Sequence, residues 1–128
     1  MSSSNVKQKE NLSLNEPSAW KYSSPSEPGF HTVITPENSA LKTTWVYRLN
    51  LNAGETYRLS ADGQEMNAGC FQGEGKLEYG LKRYEFAKLD SFYLPGGAEA
   101  EISAVSDCSL FIGGAPYEGR GEFFFRRF

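Results

Sequence analysis

Histidine is almost absent from this chain. His31 is the one imidazole in 128 residues, and a single imidazole cannot furnish the several nitrogen donors on which protein Zn and Fe centres usually rest. Cysteine is scarce as well. Cys70 and Cys108 lie far apart in an otherwise ordinary composition, which suits reduced, partly buried thiols and not a disulfide framework. Neither sign of charge dominates: 13 Lys and Arg against 16 Asp and Glu leave a formal net charge of −3. With no basic stripe, no nucleic-acid partner is expected. No apolar run is long enough to span a bilayer, so no membrane partner is expected either. Met1 to Trp20 is polar and lacks the apolar core of a secretory leader, which points to the cytoplasm. No Ser/His/Asp or Cys/His set can be assembled, and no catalytic residue is assigned.

Aromatic residues and turn formers are plentiful. Seven Tyr, nine Phe and two Trp accompany 13 Gly and six Pro spread along the chain. At this length one domain is expected, with enough apolar surface for a real core. Residues 1–28 are rich in Ser, Asn, Glu, Lys and Pro and read as a polar, largely irregular N-terminal arm. Residues 29–128 read as the folded domain. Within it, short β-type segments recur at His31–Thr35, Thr44–Leu51, Glu55–Ala61, Met66–Gln72, Lys76–Tyr79, Arg83–Ala87, Phe92–Leu94, Glu99–Val105, Ser109–Gly113 and Glu122–Arg127. Turn signals separate them, among them Asn52-Ala53-Gly54, Asp62-Gly63, Gly73-Glu74-Gly75 and Pro95-Gly96-Gly97. No segment carries a helical period. Many short strands at this spacing predict an all-β sandwich or barrel.

Two stretches carry a likeness. Leu49-Asn50-Leu51-Asn52-Ala53-Gly54-Glu55-Thr56 followed by Gly73-Glu74-Gly75 resembles the first cupin motif, and Phe92-Tyr93-Leu94-Pro95-Gly96-Gly97 resembles the Pro-x-Gly of the second. More narrowly, the chain resembles the amino-terminal half of the isomerase family that contains 5-deoxyglucuronate isomerase and 5-keto-4-deoxyuronate isomerase. The matches run in order through Ile34-Thr35-Pro36-Glu37, Tyr47-Arg48-Leu49, Ala53-Gly54-Glu55-Thr56, Glu65, Gly73, Tyr93-Leu94-Pro95 and Ala115-Pro116. The resemblance implies a single cupin-type jelly-roll barrel and a homodimer. It also implies that the zinc-type site of those longer isomerases lies in a half that this chain lacks.

Counting along the first motif from Gly54 puts the histidine positions on Ser60 and Asp62. Counting back from Gly73 puts the glutamate position on Met66, with Glu65 one place out and so on the other face of its strand. In the second motif the histidine position is Ala100. These residues provide no imidazole, so the domain is expected to bind no metal and to need no cofactor. His31 reads as a structural histidine.

The same count points Thr56, Arg58, Ser60 and Asp62 into the barrel, whereas amphipathic alternation would bury Tyr57, Leu59 and Ala61 instead. Two resolutions stand. Either the register is off by one, or Arg58, Ser60 and Asp62 line a polar pocket in which a sugar acid or small metabolite pairs with the guanidinium. Trp45 and Tyr47 share a face with Leu49 and Leu51, as core residues first and sugar-stacking platforms second. The phenylalanine-rich end, Gly121 to Phe128, either closes the parent sheet or pairs across a dimer.

The expected function is a metal-free cupin-like module that binds a carbohydrate or metabolite or drives oligomerisation. The alternatives are a keto-uronate or deoxyglucuronate isomerase using Glu65 or His31 as base, and a non-catalytic half that assembles with a separate catalytic cupin.

Overall fold

In the computed structural model the described residues are 25–39, 43–117, 119 and 121–128. Most of the expected N-terminal arm, residues 1–24, lies outside them. Among the described residues ten strands form, one for each expected segment: β1 Gly29–Ile34, β2 Trp45–Leu51, β3 Thr56–Ser60, β4 Gln64–Gln72, β5 Gly75–Tyr79, β6 Lys82–Phe86, β7 Ser91–Leu94, β8 Glu99–Ala104, β9 Cys108–Pro116 and β10 Phe124–Arg126. Among the described residues no helix is long and apolar enough to cross a membrane.

The strands make two antiparallel sheets. One has six strands in the order β1-β2-β9-β4-β7-β10, the other four in the order β3-β8-β5-β6. Alternation within each strand aims one set of side chains at the space between the sheets. From the larger sheet come Leu49, Met66, Ala68, Leu94, Leu110 and Ile112; from the smaller come Leu59, Leu77, Phe86, Ala100, Ile102 and Ala104. Leu49, Leu59, Leu77, Leu94, Ile102, Leu110 and Ile112 are all but completely buried. Each contributes about 1.5–3 kcal/mol of transfer free energy towards a fold that is stable by only about 5–15 kcal/mol in all.

The aromatic end of the chain closes its own sheet. Phe124, Phe125 and Arg126 pair with Tyr93, Phe92 and Ser91 on β7. The Phe123 ring stacks on Tyr79 at 4.1 Å and the Phe125 ring on Tyr84 at 4.8 Å, so these two rings reach across to the smaller sheet. Buried Asp90 holds the end of the strand in place. Its carboxylate accepts the Ala87 N–H at 2.9 Å and the Phe128 N–H at 2.8 Å, and Arg127 stands 3.7 Å away.

Candidate functional site

The first candidate is the barrel interior where β2, β3, β4 and β8 face one another. The orientation of β3 decides what lies there. Leu59 is 1 % exposed and Ala61 0 %, while Arg58, Ser60 and Asp62 are all exposed. The placement of Arg58, Ser60 and Asp62 in the barrel, taken from counting along the motif, is therefore off by one residue. The cause is pairing. Strand β3 lies against β8 with Leu59 opposite Ala100 and Arg58 opposite Glu101, and paired residues point the same way. Since Ala100 and Ile102 are core residues, Leu59 must be one too.

On the outer face, Arg58 stands between two carboxylates, 3.5 Å from Glu99 and 3.6 Å from Glu101. Arg58 and Glu99 are exposed and Glu101 is partly so, and ion pairs in water contribute little to stability. Trp45 and Tyr47 do face inward. Tyr47 is buried and Trp45 half-buried against the same core. Phe30 from β1 stacks on Tyr47 at 5.0 Å and on Tyr57 at 5.2 Å, tying β2 to β3.

The interior therefore presents Met66 and Ala100 at two of the counted positions, and Leu59 and Ala61 in place of Ser60 and Asp62, which face out. Aliphatic side chains and a thioether do not fit a Zn or Fe ion, which takes imidazole, thiolate or carboxylate. At the Trp45 end the Tyr47 hydroxyl donates to Gln64 Oε1 at 3.1 Å. Gly114 leaves room for this amide, since a side chain there would run into Gln64 Oε1. Burial pushes the Tyr47 phenol above its ordinary 10.0. The pair is neutral and holds neither a base nor an acid for neutral-pH chemistry.

Glu65 lies on the opposite face of β4, as its one-residue offset implies. There it accepts a hydrogen bond of 2.8 Å from the Tyr93 hydroxyl. His31 also lies on the outer face, its Nε2 2.9 Å from the Glu27 carbonyl oxygen. Strands β1 and β4 are three places apart in the sheet, so His31 and Glu65 are separated by at least about 14 Å and cannot act on one small substrate. Among the described residues, no three His, Cys, Asp or Glu side chains converge where they could hold a metal ion.

Two polar clusters were not legible in the sequence. Asn50, buried on the outer face of β2, accepts from Ser109 at 2.8 Å and from Arg48 Nε at 2.9 Å, and donates to the Pro25 and Glu27 carbonyls. The Arg48 guanidinium also lies over the Phe71 and Phe111 rings, 5.0 and 5.7 Å from their centroids. The other cluster is Tyr93 with Glu65, where burial and the bond to the Glu65 carboxylate push the phenol up to about 12. Burial likewise lifts the Cys108 thiol to about 11, with Cys70 close by adding to the effect.

These two shifts fix the sign of a pH effect. A group that holds its proton more tightly folded than unfolded favours the folded state below its unfolded pKa, and that contribution disappears as pH rises through the folded pKa. For Cys108 the window runs from 9.0 to about 11 and for Tyr93 from 10.0 to about 12. The melting temperature should be flat up to about pH 9 and fall steadily above it. Ionisation of Tyr93, read at the tyrosinate absorption band, should coincide with unfolding. The two buried thiols should react with a thiol reagent only as the chain opens. A melting temperature unchanged to about pH 11 would contradict this account.

No protein-family model matches the chain, and no curated protein does. Solved structures do. An IolB-like protein from Salmonella typhimurium LT2 superposes with a TM-score of 0.69 at 23% identity, covering 81% of this chain and 44% of that one. A cupin 2 conserved barrel domain protein from Leptotrichia buccalis gives 0.61 at 14% identity, covering 89% and 52%. The Cnp3 cupin domain of Schizosaccharomyces pombe gives 0.58 at 16%, covering 68% and 63%. The chain has the cupin fold. It spans less than two thirds of the length of each of these three proteins. The wall of its barrel formed by Leu59, Ala61, Met66 and Ala100 is packed with apolar side chains.

Proposed function

We propose that this domain is a metal-independent cupin module related to the uronate isomerases, and that it works by association and not by chemistry inside the barrel. One observation carries the reading: Leu59, Ala61, Met66 and Ala100 point into the barrel and are packed into its core, leaving no imidazole, thiolate or carboxylate on that wall. A jelly roll filled in this way is a rigid platform whose useful surface is its outside. The ordered matches from Ile34 to Pro116 and the likeness to the IolB-like protein support the relationship to that family. Oligomerisation is the form of association this reading favours, because three of the large apolar residues left in water, Leu81, Leu89 and Phe128, lie in turns or beyond the last strand.

Metal analysis of purified protein tests the metal claim. Zn, Fe and Mn should be far below one per chain, and a chelator should leave the melting temperature unchanged. A stoichiometric metal or turnover of a keto-uronate would overturn the reading.

Binding of a sugar acid is the second reading, favoured by Trp45 beside the Tyr47–Gln64 pair at one end of the barrel. Isothermal titration against uronates and inositol-derived acids tests it, with Trp45→Ala and Arg58→Ala as variants. Heat that Trp45→Ala removes and Arg58→Ala leaves would locate the ligand at that end. Silence across the whole set would remove the binding claim.

A further inference from the structure

We infer that the β5–β6 hairpin and the recess beside it form a self-complementary contact between two copies of this chain, an inference that rests on the association reading above. The hairpin turns through Gly80 and Leu81, between paired Tyr79 and Lys82. Leu81 is 103 % exposed, the most exposed of the described large apolar residues. A branched aliphatic side chain held out at a turn tip in this way is an unpartnered knob.

A socket lies next to it. Tyr79, Leu81, Lys82, Pro95, Glu122 and Phe123 border a shallow, largely open recess of about 620 Å³. Its apolar wall is built, since the Tyr79 and Phe123 rings stack nearly parallel, 4.1 Å between centroids and 6° between planes. The recess exceeds the volume of a leucine side chain several times over.

Knob and socket belong to one patch, which is the condition for a two-fold contact: each copy offers the same surface to the other. Charge agrees with shape. Lys82 and Glu122 both border the recess, and neither forms an ion pair with a described residue of its own chain. A two-fold axis past the hairpin tip puts Leu81 of each copy into the other's recess and brings each Lys82 towards the other's Glu122. A cation and an anion on one self-facing patch suit a second copy of this chain better than a partner carrying a single sign of charge.

The test is the dissociation midpoint of the full chain, measured by light scattering and sedimentation across a dilution series. Three variants carry it: Leu81→Asp, Lys82→Glu, and the double reversal Lys82→Glu with Glu122→Lys. All the changes lie at exposed positions, and circular dichroism confirms that each variant folds. The wild type should be dimeric. Leu81→Asp should raise the midpoint by at least about tenfold, Lys82→Glu should raise it by less, and the double reversal should restore it. A wild-type dimer whose midpoint none of the variants moves would overturn this contact and leave the association reading standing. A monomeric wild type would overturn both.

Discussion

Leu59→Lys will leave no cooperatively folded domain at 25 °C, whereas Ser60→Lys, one residue further along β3, will melt within about 2 °C of the wild type. The two changes place the same cation on the two faces of one strand. Leu59 sits opposite Ala100 and is enclosed by the core. An ammonium there loses its water and finds no carboxylate, at a cost of several kcal/mol. Lost packing of the leucine adds about 2–5 kcal/mol, and the sum approaches the whole stability of a domain this size. Ser60 is exposed opposite Glu99, so a lysine there meets water and an opposite charge. Far-ultraviolet circular dichroism with thermal and urea melts reads both. A tolerant Leu59 and an intolerant Ser60 would restore the register taken from the motif count, and with it an inward Arg58 and Asp62.

This pair of residues also shows how far the sequence could be read. Strand positions were legible because each is a short alternating run between turn formers, and all ten runs became strands. On β8 Ala100, Ile102 and Ala104 alternate with Glu99, Glu101 and Ser103, and the apolar three are the core residues. On β3 two local arguments conflicted, and nothing within residues 55–62 settles which one holds. What settles it is the pairing of β3 with β8, about 40 residues away in sequence, which transfers the orientation of β8 to its neighbour. Counting from Gly54 assumed a fixed offset between a turn and a strand face, and one residue of slack in that offset inverts every side chain.

The other sites hidden in the sequence share that character. Asn50 looks like an interruption in an apolar strand until Ser109, Arg48 and the carbonyls of Pro25 and Glu27 surround it. Tyr93 reads as core by composition. It lies on the outer face, bonded to Glu65, 28 residues earlier. Asp90 reads as an ordinary turn aspartate, but it also receives the Phe128 N–H from the far end of the chain. Turn chemistry is written locally; polar satisfaction across a sheet is not. The Phe-rich end posed the same difficulty, since pairing within the chain and pairing across a dimer need the same alternating residues. It pairs with β7 of its own chain.

The two glycines that bracket the first motif, Gly54 and Gly73, look equivalent in sequence and do different work, so alanine will cost unequally at the two. Both adopt the left-handed backbone region, with φ of +89° and +82°. An alanine there is strained by about 1–2 kcal/mol wherever it sits. At Gly54 that is the whole cost, because no atom lies within 4 Å of an added Cβ. At Gly73 the added carbon would press on the Asp107 carbonyl oxygen and lie 2.8 Å from Cys108 Cα. Both are backbone atoms, with no rotamer to yield. The segments are also bonded together there: Val105 and Ser106 donate to the Glu74 carbonyl at 3.0 and 3.2 Å, and Glu74 N–H donates to Ser106 Oγ at 3.1 Å. Relieving the clash means separating the turn from β9 and the loop before it, which breaks these bonds and exposes Cys108. Gly54→Ala should therefore lower the melting temperature by roughly 4–8 °C and Gly73→Ala by at least roughly twice that, the excess being close approach and not conformational strain. Equal shifts for the two variants would mean that the turn at Gly73 can move away from β9, and that the close packing of this end of the barrel is not what holds it shut.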